Sequence, residues 1–382
     1  METLHLEAEL NKEFPLDPSL VYLNHAAVAP WPRRTSQAVE NFARENMHFG
    51  AAHYERWLRM EQLLRDQLAR LIGSVSPKDI ALQKNTSEGL SVIAYGLAWQ
   101  AGDEIVITDQ EFPSNRIVWE SLSSQGVKVV EASLPLPDPE SAIIARLGPA
   151  TRLLSVSSVQ YGTGLKLDLA RLGEACRERN ILFCVDAIQS LGAAPFDVHR
   201  CYADFVVADG HKWMLGPEGI ALLYVNPALC NQLAVNEFGW HMVEYVGDYT
   251  RKEWEICSTA RRFECGSPNM LGIHALSASI GLLLDVGMNE IEQRIQQRTD
   301  YLYAELQKIP GIALLTPDSP GRRAGIVTFT SNRIANETLF STLKAQNIVC
   351  APRGGGIRFS PHFYTPIEAL DRAIDAVART NT

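Results

Sequence analysis

The chain lacks a basic run, an acidic tail and a long apolar stretch, and each absence excludes a kind of partner. Its 382 residues carry 35 Lys and Arg against 44 Asp and Glu, so the formal net charge is −9. Nucleic acids and anionic membrane surfaces bind clustered cations, so we predict neither as a partner. A bilayer span needs about 18 apolar residues in succession, and the sequence has no such run.

Cysteine is scarce and follows no pattern. The seven cysteines are an odd number, form no C-x-x-C pair and mostly fall within apolar segments. We predict reduced thiols, buried as small hydrophobic side chains in a cytoplasmic protein, and no metal site. Residues 1–9 are acidic and have no apolar core, so we do not expect a secretory signal peptide.

One lysine stands between two apolar runs. Lys212 follows residues 204–207 and precedes residues 219–225, and both runs have the composition of buried strands. A buried ammonium is costly unless it is paired, neutralised or used covalently. A solvated lysine in a hairpin is the alternative interpretation. Asp186, which closes the preceding apolar strand, favours the functional one, because pyridoxal phosphate chemistry needs a Schiff-base amine and an acid beside the pyridine nitrogen.

Two segments carry a more specific signal, Val-Asp-Ala-Ile-Gln-Ser at 185–190 and Asp-Gly-His-Lys-Trp-Met-Leu-Gly-Pro-Glu-Gly at 209–219. Together they resemble the core of the class V aminotransferase family, fold type I pyridoxal phosphate enzymes that include cysteine desulfurases, kynureninase and isopenicillin N epimerase-like proteins. The similarity runs from about residue 22 to about residue 366. It implies pyridoxal 5'-phosphate as the cofactor and an α-amino acid as the substrate.

The resemblance implies a role for each polar residue of these segments. Lys212 would form the Schiff base and then move the Cα proton, and Asp186 would keep the pyridine nitrogen protonated. Gln189 would hydrogen-bond the phenolic oxygen of the ring, and His211 would contact the phosphate. Asp209 stands where many desulfurases have serine. An acid beside a phosphate would be repelled, so we expect Asp209 to orient His211 through a hydrogen bond.

Two further segments are candidate cofactor contacts. Thr86 and Ser87 stand between a predicted strand over 79–83 and a predicted helix over 90–99. Hydroxyls and free backbone N–H groups at a helix start suit a phosphate, although an ordinary Thr or Ser cap is the alternative. Phe112 follows the next strand, and we interpret it either as the residue that stacks on the cofactor ring or as a core phenylalanine.

The substrate contacts are predicted from the resemblance. Arg358 matches the family arginine that clamps the substrate carboxylate, for which a planar guanidinium is well shaped. A surface arginine on a strand is the alternative. Asn24 and His25 lie in a turn that resembles the family's entry to the active site, and His25 could equally be a cap. Gln160 and Tyr161 occupy the turn where many family members have asparagine.

The segment Arg261–Asn269 resembles a Gly-Thr-Pro-Asn segment that reaches into the partner's phosphate site in family dimers. Gly266 and Ser267 are therefore predicted cofactor contacts across a homodimer with shared active sites. A plain Ser-Pro helix start before residues 270–286 is the alternative.

Repeated strand and helix units predict an α/β fold whose ligands collect at the carboxyl ends of the strands. The resemblance implies the fold type I transferase architecture, with a mostly parallel seven-stranded sheet, helices on both faces and a smaller C-terminal α+β domain. We predict an N-terminal arm over residues 1–20, a large cofactor-binding domain over 21–282 and a small domain over 283–382.

The reaction is the least determined prediction. An aminotransferase is favoured, because it uses only the groups above. An isopenicillin N epimerase-like reaction would use the same groups. A carbon–sulfur lyase of the desulfurase kind needs a nucleophilic cysteine on a mobile loop near the arginine. Cys350 is the nearest and lies in an apolar run, which favours a packing role. A protein that has lost its chemistry is disfavoured by the presence of Lys212, Asp186 and Arg358 together.

Overall fold

The computed structural model describes residues 2–381, without the side chains of residues 2–6 and 320. Its helices are α1 Glu2–Glu13, α2 Arg33–Phe49, α3 Tyr54–Ile72, α4 Thr86–Gly96, α5 Ser114–Glu120, α6 Pro139–Ile144, α7 Leu169–Glu178, α8 Pro227–Cys230, α9 Met270–Val286, α10 Met288–Gln307, α11 Asn336–Ala345 and α12 Ile367–Thr380. Its strands are β1 Val21–Tyr22, β2 Ile80–Gln83, β3 Glu104–Thr108, β4 Lys128–Ala132, β5 Thr151–Ser157, β6 Leu182–Asp186, β7 Phe205–Asp209, β8 Ala221–Val225, β9 Ile312–Leu314, β10 Val327–Ser331, β11 Ile348–Val349, β12 Ala351–Arg353 and β13 Gly356–Phe359.

A seven-stranded sheet forms the centre, in the order β2-β8-β7-β6-β5-β3-β4. Only β8 is antiparallel to its neighbours, β2 and β7. Successive residues of one strand enter different cores: Val106 belongs to a first core that contains residues of α3, α7 and α9, whereas Ile105 and Ile107 belong to a second core that contains residues of α4 and α5. This alternation buries the sheet on both faces, which explains why its strands are almost continuously apolar. The predicted α/β fold with a mostly parallel seven-stranded sheet is confirmed.

A second sheet, antiparallel and in the order β12-β13-β10-β9, lies in the C-terminal part. Its apolar residues, such as Phe329 and Phe359, form a third core with α11 and α12. Strand β1 pairs with β11, so Val21 lies beside Ile348 and belongs to this third core. The sequence-based limits placed residue 21 with the central unit, and the pairing instead joins it to the C-terminal elements.

The predicted N-terminal arm packs on the rest of the chain through helix α1. Leu10 and Phe14 are buried in the first core, and the Phe14 ring stacks on Tyr364 at 3.4 Å between centroids. Within residues 2–381, no single helix is both long and apolar enough to cross a membrane. By length and composition only the pair α9 and α10 passes such a test, and the two helices are bent by 84°.

Candidate active site

A cavity of about 350 Å³ opens at the carboxyl ends of the central strands. Strands β2, β3, β5, β6 and β7 run in one direction, so the segments that follow them meet at the same edge of the sheet. Nine of the predicted site residues line this cavity, namely Thr86, Ser87, Phe112, Tyr161, Asp186, Gln189, His211, Lys212 and Arg358. Of the residues expected to meet past the strand ends, Thr86, Phe112, Asp186 and Lys212 line this cavity, and Gln160 does not.

Lys212 lies in the turn that joins β7 to β8. The turn is closed by hydrogen bonds from Leu215 to the Lys212 carbonyl and from Gly216 to the Gly210 carbonyl, at 3.0 and 2.8 Å. The side chain is 9% exposed, so a solvated hairpin lysine is excluded. Burial lowers the Lys212 pKa from 10.5 to about 8, against the attraction of Asp186. A substantial share of the amine is therefore neutral near physiological pH, as a nucleophilic lysine requires.

Asp186 ends β6 and is 2% exposed. Burial raises its pKa to about 7, while the Ile188 N–H, at 3.0 Å from Oδ1, and the nearby Lys212 ammonium oppose this rise. A buried carboxylate held at so high a pKa lacks an adequate positive partner. A protonated pyridine nitrogen would supply one, so Asp186 fits the ring of pyridoxal phosphate.

The start of α4 provides the phosphate end of the cavity. The helix begins at Thr86, four residues earlier than predicted. Asn85 caps it, because its Oδ1 accepts from the Glu88 N–H at 2.9 Å. The Thr86 hydroxyl is buried and has no hydrogen-bond partner among the described residues. The predicted alternative, in which the Thr or Ser hydroxyl is the cap, is wrong, and the unpartnered hydroxyl in a helix first turn fits a phosphate oxygen.

Ser114, which the sequence reading missed, completes this end of the cavity. Its Oγ accepts from Ser87 Oγ at 2.8 Å.

His211 and Asp209 also line the cavity, and His211 Nδ1 lies 2.9 Å from Asp209 Oδ1. Neither atom is in an aligned hydrogen bond, so the contact is between charges or dipoles. The predicted hydrogen bond between Asp209 and His211 is therefore not formed, although the two side chains are in close contact.

Phe112 is 40% exposed and meets Tyr161 edge to face, with 5.2 Å between the ring centroids. It faces the cavity, so the alternative of a core phenylalanine is wrong. The adjacent Glu111 carboxylate, 8% exposed, fixes this corner. It accepts hydrogen bonds from Thr108 Oγ1 at 2.7 Å, Asn115 Nδ2 at 2.8 Å and the Ser157 N–H at 3.0 Å, which tie β3, α5 and β5 together.

Gln160 belongs to this buried framework. It is fully buried and its amide donates to Thr108 and Glu111, each at 3.3 Å, and it does not line the cavity. The predicted substrate contact at Gln160 therefore lies behind the wall, where it positions the neighbouring Tyr161. Glu111 could have been predicted from the sequence, because its partners Thr108 and Ser157 are polar residues that close the otherwise apolar strands β3 and β5.

Arg358 is 2% exposed, so the alternative of a surface arginine is wrong. Its Nη1 donates to the Tyr161 carbonyl at 2.8 Å, and its Nε has no partner in the described chain. Burial lowers the Arg358 pKa to about 10, with Arg353 as the next contributor. A guanidinium held at this cost, with donors unused, is suited to an anionic ligand.

Asn24 and His25 lie outside the cavity lining, contrary to their predicted substrate contact. His25 is fully buried between the Ser360 carbonyl, 2.8 Å from Nδ1, and the Tyr364 hydroxyl, 2.7 Å from Nε2. Burial lowers its pKa to about 4, so the ring is neutral. Asn24 forms a bridge with Ser360. The following residues, Ala26 to Val28, line the cavity instead.

Gln189 lines the cavity with its polar atoms partly engaged. Its amide donates to the Ala26 carbonyl at 3.0 Å, and its carbonyl accepts from Trp213 Nε1 at 2.8 Å. One N–H remains for a ligand oxygen, which is compatible with its predicted role.

Gly266 and Ser267 line a different cavity of about 470 Å³, on the Glu88 side of the α4 start. Within one chain they do not join the lysine site.

A second buried polar cluster lies away from the cavity. Glu61, His241 and Glu264 place ligand atoms within 4.8 Å of one another, a spacing that a metal ion could use. Arg65 already occupies both carboxylates, at 2.6 Å from Glu61 and 2.7 Å from Glu264. Glu264 also accepts from the Leu82 N–H. The cluster therefore ties α3 to β2 through two ion pairs on one guanidinium and the hydrogen bond to Leu82.

Similarity to known proteins agrees with this geometry. A model of the family "Aminotransferase class-V" matches residues 21–364. The chain is 32% identical to isopenicillin N epimerase of Streptomyces clavuligerus and 28% identical to a probable cysteine desulfurase of Methanothermobacter thermautotrophicus, with 95% of each chain covered in both comparisons. The solved structure of a C-DES mutant, with glycine covalently linked to its pyridoxal phosphate cofactor, has a TM-score of 0.89 at 26% identity and covers 96% of this chain and 98% of its own. A second similar structure, with a TM-score of 0.87 at 26% identity over 94% of this chain and 98% of its own, is the complex between the cystine C–S lyase C-DES and its reaction product cysteine persulfide.

Proposed function

The chain belongs to the class V aminotransferase family of pyridoxal phosphate enzymes, and we propose that it is an aminotransferase for an α-amino acid. The observation that carries the proposal is one cavity that holds Lys212, Asp186 and the unsatisfied guanidinium of Arg358 together. An amine that can shed its proton, an acid for the pyridine nitrogen and a carboxylate clamp are the groups that a reaction at Cα of an amino acid requires.

The cofactor, when bound, supplies a ring that accepts the electrons released as the Cα proton leaves. Lys212 would hold it covalently and would afterwards carry that proton at Nζ. Its position at 5.5 Å from the centre of the Phe112 ring puts the amine beside the predicted stacking face. The lowered Lys212 pKa makes the neutral amine available as the base.

The other residues bind and orient. Arg358 would pair with the substrate carboxylate through its free donors, and the Tyr161 carbonyl fixes the direction of its guanidinium. Asp186 would hold the proton on the pyridine nitrogen. Thr86, with the first-turn N–H groups of α4, would bind the phosphate.

A protein thiol has no part in the proposed reaction. Cys350 is 7% exposed and packs in the third core, where burial raises its pKa to about 12. None of the seven cysteines, all of which lie among the described residues, lines the lysine cavity. A thiolate nucleophile needs an exposed, electropositive setting, so the desulfurase reaction through a protein cysteine is disfavoured.

Two other outcomes at the same site are favoured by relatives and need no protein thiol. C-DES is a cystine C–S lyase, and a lyase of this kind could expel a sulfur leaving group after Cα deprotonation. An isopenicillin N epimerase-like reaction would return the proton to the opposite face of Cα. Transamination differs from both, because nitrogen moves to an oxo acid acceptor.

We further propose a homodimer in which Gly266 and Ser267 approach the partner's phosphate site. The proposal is supported by their place in a cavity separate from the lysine cavity of their own chain and by the partial exposure of this segment. Ser267 is exposed, so it is available to a second chain.

Products distinguish these reactions. The purified enzyme would be incubated with single amino acids, with and without 2-oxo acids, and analysed for oxo acids, ammonia, sulfide and the configuration at Cα. We expect a new amino acid and a matching oxo acid only when an acceptor is present. Pyruvate with ammonia and cysteine persulfide from cystine, or inversion at Cα without an oxo acid, would replace transamination by the lyase or the epimerase.

The substrate contact is tested by Arg358→Gln. Loss of a buried charged pair costs roughly 2 to 5 kcal/mol, so amino-acid binding should weaken by more than about tenfold. Arg152→Gln is the matched control, because Arg152 is exposed near the amino end of β5, at the opposite edge of the sheet. Equal effects of the two substitutions would contradict the role of Arg358.

A further inference from the structure

Arg353 and Arg358 project from the same face of one β-hairpin. In the antiparallel pair of β12 and β13, Ala351 lies opposite Arg358 and Arg353 lies opposite Gly356. Arg353 is two residues beyond Ala351, so its side chain points to the same side as Arg358. Such diagonal neighbours are roughly 7 to 8 Å apart. Both side chains line the lysine cavity.

The two arginines differ in depth. Arg358 is almost fully buried beside Lys212, whereas Arg353 is exposed at the mouth. Among the described residues, the Arg353 guanidinium donates only to the carbonyl of the adjacent Pro352, at 3.0 Å. Neither arginine is paired with an acid in the described chain, so two guanidiniums offer unused donors at different depths of the same cavity.

The hairpin turn holds Arg353 in place. Gly354 has a φ of +62° and packs against Gly162, where a Cβ would lie only 2.3 Å from the Gly162 carbonyl oxygen. The Asn336 amide donates to the Gly355 carbonyl at 2.9 Å. The turn is therefore fixed on both sides, and Arg353 is presented by a rigid strand end rather than by a loose loop.

The acids of the cavity are already assigned to other partners. Asp186 faces Lys212 and the predicted ring nitrogen, and Asp209 contacts His211. Glu218 is exposed at the lining and is not paired with either arginine. The positive charge of Arg353 is thus available to an anion that enters with the substrate.

We propose that Arg353 binds a second carboxylate, so that the substrate is a dicarboxylic α-amino acid of the kind represented by aspartate and glutamate. The proposal rests on the proposed function, because Arg358 holds the α-carboxylate. The amino group then lies at Lys212 and the side chain points towards the mouth, where Arg353 meets its distal carboxylate. A planar guanidinium matches that group through paired hydrogen bonds.

Equilibrium binding of unreactive acids to the holoenzyme tests this without any turnover. Glutarate and valerate have the same number of carbons, and only glutarate carries two carboxylates. Calorimetry should show tighter binding of glutarate by the unmodified enzyme. Arg353→Gln should weaken glutarate roughly five- to twentyfold and change valerate less than twofold, since a charged hydrogen-bonded pair is lost only for the diacid. Arg353→Lys should recover part of the glutarate affinity.

Two controls separate this idea from simpler ones. Arg152→Gln removes the same charge at the opposite edge of the sheet and should change neither affinity. Arg358→Gln should weaken both acids. An equal loss of glutarate and valerate affinity in Arg353→Gln would show that Arg353 acts only through its positive electrostatic field and would overturn the proposal. No loss of glutarate affinity would overturn it as well. If the enzyme proves to be a lyase or an epimerase, the glutarate result still decides whether Arg353 selects diacids.

Discussion

The buried charges of Asp186 and Lys212 should lower the free energy of unfolding of the cofactor-free protein, so removing both charges should raise it. The perturbation is the double variant Asp186→Asn and Lys212→Met. The fall of the Lys212 pKa from 10.5 to about 8 corresponds to roughly 3 kcal/mol of folding free energy. The rise of the Asp186 pKa from 3.8 to about 7 corresponds to roughly 4 kcal/mol. Relaxation reduces such costs, and we expect a gain of about 1 to 4 kcal/mol.

The gain should depend on pH with a maximum between about 7 and 8. Between pH 7 and pH 3.8 Asp186 is mostly protonated in the folded protein and mostly ionised in the unfolded chain. The folded state therefore binds more protons, and the natural protein becomes more stable as pH falls through this range. Between pH 8 and pH 10.5 Lys212 is mostly neutral in the folded protein and mostly protonated in the unfolded chain. The unfolded state therefore binds more protons, and the natural protein becomes more stable as pH rises through this range. The advantage of the variant therefore declines on both sides.

The assay is thermal unfolding of the cofactor-free proteins from pH 5.5 to 9.5, with a midpoint shift on the order of a few °C at pH 7.5. Lys308→Met with Glu305→Gln is the matched control. It removes an exposed pair, 2.6 Å apart, whose contribution is expected to be small. A double site variant that is less stable than the natural protein, or a gain that stays constant across this pH range, would refute the assignment of strain to these two charges.

Three other outcomes are expected. Borohydride should fix the cofactor on Lys212, and Lys212→Ala should abolish this link in a folded protein; fixation on another lysine, detected by peptide mass analysis, contradicts the assignment. Phe112→Ala should raise the cofactor dissociation constant roughly two- to tenfold, because stacking contributes about 0.5 to 1.5 kcal/mol, while Phe112→Tyr should retain it. Mixing a Lys212→Ala protein with one disrupted at Gly266 and Ser267 should restore activity in heterodimers, and full activity of a proven monomer would exclude the shared site.

The sequence predicts the sheet and the edge at which the site forms. Strands closed by a polar residue, such as Asp186 after an apolar run, reveal both the strand and the end where its ligand group lies, because parallel strands share their carboxyl edge. The same logic places Thr86 and Phe112. It fails for the start of α4, since helix limits depend on which residue caps, and Asn85 rather than a hydroxyl takes that role.

Side-chain direction is harder to predict than position. Gln160 and Tyr161 are adjacent, yet one is tied to Glu111 inside the protein and the other faces the cavity. His25 lies next to cavity residues and points into a buried contact with Tyr364, more than 300 positions away in the chain. A linear pattern does not contain such a partner. Arg353 could have been found from strand alternation around the turn, had the hairpin register been assigned first.

The cost of the site and its specificity have a common physical origin. Burial raises the Asp186 pKa and lowers the Lys212 and Arg358 pKa values, so the folded chain retains three charges that its own contacts do not fully compensate. A ligand that stabilises all three must bring a cationic ring nitrogen, a carbonyl that the lysine can attack and an anionic group. Pyridoxal phosphate brings the first two and an α-amino acid brings the third. The incompletely compensated charges therefore indicate the ligands, because burial disfavours each charge and a separate ligand group would offset that cost for each.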